Sequence, residues 1–482
     1  MDHRVAAEPP VQLAGPGAAS SPGEEAAARS DHDGGGARDV WALRGEIARL
    51  IVSLDTRIGE QLDRILHHPR FQALEARWRG VAWLNESMTG DPQLKLRIMD
   101  VRWTELERDF ERTAVFDQTV LFEKVYNGEF GRPGGEPFGL LVVDSHVSHR
   151  PDSRGTDDLT VLGGLAEVAA AAFCPVVVGA DARILGLDSY DEIDLRQEAG
   201  AIFQTAEYSR FQKLRSEPDA RFIACALPRL LMRRPYQSRS FPRLGFGYNE
   251  RIDEHRHLLW GSAAFGLASV AARAMKVHRW PANIRGAVAP NDGGIVNGPE
   301  RLFLESDKPG VVARFPTEAA ISQSQEVELN QLGLTALRQC HLTGSAAFFN
   351  VPSLHRPPHY ESEVARVNAR ISANLHYVLC VSRFAHYIKV IAREWIGRFR
   401  TADEARRLLE NWIQEYVTTT EDASHEQRAQ YPLGEASIEV SERPDSPGSF
   451  DATVLLRPHF QLDNIAPEFA LTTPIGHAVE QG

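Results

Sequence analysis

The 482-residue sequence has only four cysteines, Cys174, Cys225, Cys340 and Cys380, and no two of them stand close enough to form a C-x-x-C pair. That spacing excludes a zinc ribbon or a thioredoxin-like motif, and so few thiols exclude a disulfide scaffold. Sparse cysteine suits a reducing compartment, so a cytoplasmic location is expected. Long hydrophobic runs are missing too. Charges break every apolar stretch well short of the roughly 18 residues a spanning helix needs. The opening MDHRVAAEPPVQLAGPG has no apolar segment behind a basic start, so it is not read as a secretory leader, and no membrane insertion is expected. Basic excess is absent as well. Lys+Arg 53 against Asp+Glu 65 leaves −12, which argues against a general nucleic-acid binder.

What is present is ordinary globular composition, 43% hydrophobic and 24% charged. At roughly 150 residues per domain, the length predicts two large domains or three smaller ones. A core of that size needs no metal or disulfide to fold. The chain divides into four regions. Residues 1–37 form a Pro/Gly/Ala/Ser tract with too few large apolar groups to repay ordering, expected as a disordered tail. Residues 38–135 are a helical and linker region, 136–280 an α/β domain, and 281–482 a loop-rich segment followed by a long helix and C-terminal strands.

Periodicity supplies the elements. Val40, Leu43, Ile47, Leu50, Leu54, Ile58, Leu62 and Ile65 recur at steps of three and four until Pro69, predicting one helix. Its apolar face calls for a partner surface; the plainer reading packs most of it on its own domain. Leu94, Leu96, Ile98 and Val101 suggest a short strand, and a helix follows through Leu106 and Phe110. Strands are expected at Phe138–Val143, Val176–Val178 and Phe222–Leu227, and helices at Leu159–Phe173, Ile202–Leu214 and His255–Val277. That alternation predicts an α/β fold, a mainly parallel or mixed sheet flanked by helices. Short strands are expected near Phe303 and Val311, then a long helix from Val364 to Phe399 and another over Ala402–Tyr416. Ala436, Ile438 and Val440 form one C-terminal strand and Ala452, Val454 and Leu456 another, with a turn at Pro444–Gly448.

No pattern of catalytic residues emerges. The first expected strand runs into Asp144-Ser145-His146-Val147 with no glycine, and no phosphate-binding loop occurs anywhere. Asp292-Gly293-Gly294 leads into a loop, so a tight turn is the better reading. Ser382 and His386 share a helix face, but helix-interior amides are already bonded and can form no oxyanion hole, which favours packing. The pairs His146/His149 and His255/His257 lack a third metal ligand, and Glu326 with Glu328 suits a solvated helix face. Arg229, Arg233 and Arg234 either face an acidic partner or snorkel at a sheet edge. No catalytic residue, cofactor site or metal site is therefore assigned, and weight shifts to a structural role. An α/β nucleotide-binding or hydrolytic enzyme remains the alternative.

Several stretches in collinear order resemble one family, the large subunit of the type VI secretion contractile sheath (TssC/VipB). Leu66-His67-His68-Pro69 with Leu74-Glu75-Ala76-Arg77-Trp78-Arg79-Gly80 is similar to its LHHP…LEASWRG segment. Phe116-Asp117-Gln118, Glu129-Phe130-Gly131 and Gly134-Gly135-Glu136-Pro137-Phe138-Gly139 follow, then Ala226-Leu227-Pro228-Arg229, Leu259-Trp260-Gly261, Ile284-Arg285-Gly286 and Pro316-Thr317-Glu318. Asn368-Ala369-Arg370-Ile371-Ser372, Val381-Ser382-Arg383-Phe384-Ala385-His386-Tyr387 and Leu456-Arg457-Pro458-His459-Phe460-Gln461-Leu462 complete the set. The resemblance implies a phage tail sheath-like, non-enzymatic structural protein. Its implied partners are a small sheath subunit (TssB/VipA-like), further copies of itself in a helical polymer, an inner tube protein (Hcp-like), a baseplate and a ClpV-like AAA+ unfoldase. A non-contractile paralogue that caps or nucleates assembly is a variant of the same reading. Such sheaths join subunits by donated strands. On that ground Ala452, Thr453, Val454, Leu455 and Leu456 are expected as a shared edge strand, and Val40, Leu43 and Ile47 as a helical contact. The tail departs from the family: residues 1–37 lack the amphipathic segment read by the unfoldase, which puts recycling in doubt.

Overall fold

A computed structural model gives the architecture. It describes residues 34–475 except 114, 133, 152–154, 196–198, 238–245, 288–291, 299–316, 341–344, 395–400, 419–422, 443–449 and 460–468. The tail up to residue 33, the strands expected near Phe303 and Val311, and the turn at 444–448 lie outside the described residues.

The three-and-four spacing forms α1, Gly34–Leu66, which takes in the last residues of the expected tail because extending a nucleated helix is cheap. Pro69 separates it from α2, Pro69–Met88, where His68 caps the new helix by accepting from the Arg70 amide at 3.3 Å. The strand expected over 94–101 does not form. That stretch is irregular, with Ile98 and Met99 exposed, since alternation without a neighbouring strand provides no ladder. It leads into α3, Trp103–Arg112.

The central sheet uses β1, Leu141–Val147; β2, Val176–Ala180; and β3, Ile223–Leu227, with α4, Asp158–Ala172, and α5, Ser209–Ser216, between them. The helix expected from Ile202 shortens to α5 because Phe203 and Tyr208 stack at 4.8 Å and turn into the core. A hairpin-like pair follows, β4, Leu230–Arg233, and β5, Leu259–Gly261. The pairing of Leu230 with Gly261 consumes residues expected in a helix from His255. Only α6, Ala263–His278, remains helical, capped where Ser262 Oγ accepts from the Ala264 amide. β6, Ile295–Val296, α7, Gln323–Gln331, β7, Leu334–Gln339, and β8, Ala346–Phe348, complete this half.

The six strands run in the order β1-β2-β3-β7-β8-β6, with β1, β2, β3 and β7 parallel, β8 antiparallel to β7, and β6 antiparallel to β8. Strand alternation sorts the core: Val176 and Val178 join Leu162, Leu165 and Phe211 on one face, while Val177 and Ala224 join Trp83 and Phe265 on the other.

The long helix expected from Val364 is two, α8, Glu363–Ser372, and α9, Leu375–Glu394. Tertiary backbone bonds break it. Ser353 donates its amide to the Ala373 carbonyl at 3.0 Å, and the Leu375 amide donates to the Val351 carbonyl at 2.9 Å. After α10, Ala402–Gln414, come β9, Leu433–Glu442, β10, Phe450–Pro458, and β11, Phe469–Ile475. They form a separate antiparallel sheet ordered β11-β10-β9. Its inner face packs Ile438, Ala452, Val454 and Leu456 on Phe384, Ile388, Leu409 and Ile413. Among the described residues, no helix is long and apolar enough to cross a membrane.

Candidate assembly surfaces

α1 leaves the body with its apolar face uncovered. Ten large apolar side chains, Val40, Leu43 and Ile47 among them, are between 45% and 69% exposed. The plainer reading, a helix packed along its own domain, is therefore corrected. The attachment is confined to the last turns. Asp63 accepts from the Tyr248 hydroxyl at 2.5 Å and from the Arg251 amide at 3.3 Å. His67 stacks on His257 at 4.3 Å and donates through Nε2 to Glu250 at 3.2 Å. At 1.5 Å per residue, a helix of this length reaches about 50 Å, too much apolar surface for a chain that works alone.

The strand Ala452–Leu456 is not an edge. β10 lies between β9 and β11, with Val454 opposite Ile438 on one side and Leu471 on the other. Ala452, Val454 and Leu456 are fully buried, because a two-sided ladder with one apolar face on α9 and α10 is the stable place for this alternating stretch. Thr453 and Leu455 point to the other face, Leu455 being exposed. The outer edges belong to β9 and β11.

Of the arginines read as facing an acidic partner or snorkelling at a sheet edge, Arg233 is buried, Arg229 half-buried and Arg234 exposed. Arg233, only 5% exposed, is bound by Glu75 at 2.7 Å and by Glu250. Burial works against its charge, but the two carboxylates hold its pKa above the usual value. Arg229 grips Glu318, with Nε at 2.6 Å, and the Arg234 carbonyl accepts from Arg233. Glu326 is buried on Arg338 at 2.7 Å and not on a solvated face. Of the histidines, His149 donates to Glu207 at 2.7 Å. Arg150, then His149, pull that carboxyl down to about 2. His255 lies on Trp260, and His257 on His67. Gly293 has φ +59, the turn expected at Asp292-Gly293-Gly294. No group of three or more metal-binding side chains occurs among the described residues.

Motif residues fall at joints. Ala76 and Gly80 form the buried side of α2, and a Cβ on Gly80 would stand 2.5 Å from the Phe265 ring. A Cβ on Gly135 would stand 1.9 Å from the Glu129 carbonyl oxygen. His386 donates through Nε2 to the Ala172 carbonyl at 2.9 Å, tying α9 to the end of α4. Lys389 lies over the rings of Tyr126, Phe130 and Phe173, and burial lowers its pKa to about 8.

Among the described residues, this scaffold of joints leaves the apolar face of α1 exposed, and comparison with known proteins gives its class. Residues 48–355 match the EvpB/VC_A0108 tail sheath N-terminal domain, and residues 364–475 match the EvpB/VC_A0108 tail sheath gpW/gp25-like domain. The boundary falls at the start of α8. The type VI secretion system sheath protein TssC1 of Pseudomonas aeruginosa is 34% identical over 439 residues, covering 90% of this chain and 86% of that one. A chain in the cryo-EM structure of the anti-feeding prophage (AFP) baseplate is similar at 11% identity and a TM-score of 0.38, over 80% of this chain and 85% of that one. The chain belongs to the VipB tail sheath family of type VI secretion, and its function is structural, as the large subunit of the contractile sheath.

Proposed function

We propose that the protein pairs with a small sheath subunit of the TssB/VipA kind, and that the pairs polymerise in the cytoplasm around an Hcp-like tube from a baseplate. Contraction of this polymer then propels the tube and its effectors. The observation that carries this reading is the uncovered apolar face of α1, with Val40, Leu43 and Ile47 on its outer half. Such a face is stable in water only once another helix covers it. Among the described residues, the outer edges of β11 and of β9 beyond Leu433, which bridges Val417, support strand addition as the second connection. They replace β10 in that role, since Ala452 to Leu456 already pair on both sides.

Co-expression with the small subunit, followed by negative-stain electron microscopy, tests the reading. Long hollow tubes wider than a bare inner tube are the expected product. A soluble one-to-one complex would assign a capping or nucleating role, and a particle indifferent to the partner would remove the sheath reading.

A further inference from the structure

Lysine is scarce in this chain, six residues against 47 arginines. One of the six, Lys389 on α9, points into a cage of rings. Its Nζ lies 5.0 Å from the centroid of Tyr126, 5.0 Å from Phe130 and 4.8 Å from Phe173. An ammonium has three N–H donors, and among the described residues this one reaches a single acceptor, the Tyr126 hydroxyl, at 3.5 Å. Among the same residues no carboxylate pairs with it. Burial without an opposing charge is what holds the pKa down to about 8, so part of the amine is unprotonated near neutrality and acts as a nucleophile. The side chain is half-buried, so it is not sealed from solvent.

The backbone makes unusual provision for these rings. Tyr126 belongs to a π-helical turn, Glu123–Asn127, closed by the Gly128 amide on the Glu123 carbonyl, and such turns recur at functional sites. Tyr126 and Phe130 lie 4.9 Å apart and form two sides of the cage. Phe173 ends α4 at φ +49, in the left-handed region where a bulky side chain is strained and glycine is preferred. Its ring packs on Phe222 at 6.3 Å and closes the third side.

The width of the cage decides what it fits. A nitrogen in contact with a ring face stands about 3.5 to 4 Å from it. The observed 4.8 to 5.0 Å exceeds that contact by about one N–C bond, roughly 1.5 Å at most. A methyl group on the nitrogen fills the gap and replaces an N–H donor that has no acceptor. It also leaves a weakly hydrated cation of the kind that ring faces attract.

We propose that Lys389 is an N-methylation site, and that its methylated ammonium is the group the Tyr126–Phe130–Phe173 cage holds. The unprotonated nitrogen attacks the methyl carbon of a sulfonium donor. The N–C bond forms as the S–C bond breaks, the electron pair of that bond leaves with the neutral thioether, and a proton on the nitrogen passes to water. Repetition fills the remaining N–H positions. His386, Lys389 and Arg393 stand at i, i+3 and i+7 on α9, and the outer two already bind the carbonyls of Ala172, Phe130 and Arg132. Methylation therefore tightens the middle of the seam that fastens α9 to the N-terminal matched domain. Nothing in the proposal depends on the sheath reading.

Peptide mass spectrometry of the full chain, recovered from the cells that make it, is expected to find whole methyl increments on Lys389. Unmodified Lys389 throughout would overturn the proposal, and would leave the sheath reading intact. The fit of the cage has its own measurement. The full chain co-expressed with the small subunit is methylated with formaldehyde and dimethylamine–borane, and the six lysines are resolved by mass. Methyl groups on Lys389 are expected to raise the unfolding midpoint by about 2 °C. Lys389→Arg, treated alike so that its other five lysines are methylated, is expected to show no such gain. A gain that persists in Lys389→Arg, a wild-type chain methylated at Lys389 without the gain, or a Lys389 that the reagents leave untouched would each overturn the cage.

Discussion

His386 shows how a single side chain ties the two matched domains together. Its Nε2–H donates to the Ala172 carbonyl, which fixes the tautomer and leaves Nδ1 as a buried atom without a partner. A second proton would put an N–H where nothing accepts it, and burial accordingly lowers the pKa from 6.5 to about 4. The folded value lies below the unfolded one, so nothing is lost above pH 6.5. Between 6.5 and 4 the unfolded chain takes up a proton that the folded chain refuses, and stability falls as pH falls. From pH 7.5 to 5 this costs about 2 kcal/mol. Chemical denaturation of wild type and His386→Gln, which keeps a donor for Ala172, should show the variant losing less stability over that range by about this amount. Parallel losses would assign the acid sensitivity to other groups. The position of His386 in a packed helix was legible from its spacing with Ser382. Its acceptor on α4, 214 residues away in sequence, was not. The same holds for Arg233 and Glu326, whose charges suggested a surface until their buried partners Glu75, Glu250 and Arg338 were located.

Elements with strong periodicity were legible, and those decided by neighbours were not. The steps from Val40 to Ile65 defined α1, and alternation in Ala452–Leu456 defined β10. Neither pattern says what lies against it. β10 became a central strand because β11 covers the side that looked open, and the helix after Val364 broke because residues 351–353 compete for its backbone groups. Val454→Pro would therefore disrupt a ladder inside the subunit, so it reports on folding more than on contact. The informative element is α1. Replacing Val40, Leu43 and Ile47 together with Glu removes apolar groups that touch water in the free chain, so the unfolding midpoint should move by no more than about 0.5 kcal/mol equivalent per site. Polymer formation with the small subunit should be lost, as electron microscopy of the co-expressed pair would report. Tubes of ordinary length would show that the outer half of α1 is not an assembly surface, and a collapsed midpoint would show that it packs on its own subunit.

At the scale of the whole molecule, the sign of the charge sets a constraint that no single contact reveals. Each copy carries −12, so stacking copies concentrates negative charge. The contacts between them must be strong enough to overcome that repulsion. The two contributions respond to salt differently. Repulsion between whole subunits acts over many ångströms and is screened once the Debye length shrinks to about 8 Å near 0.15 M. Close ion pairs across a contact are screened only at much higher salt, near the roughly 3 Å Debye length of 1 M. The α1 face is exposed in the free chain, and its burial in a polymer would be strengthened by excluded salts such as sulfate. Sedimentable polymer should therefore rise from low salt to about 0.15 M sodium chloride and fall again toward 1 M. Sodium sulfate at matched ionic strength should hold the polymer together better than chloride. A yield that only falls with added chloride would mean that ion pairs outweigh repulsion from the start. A yield that keeps rising to 1 M would remove ion pairs from the contacts that hold copies together, leaving apolar burial and strand pairing to do so.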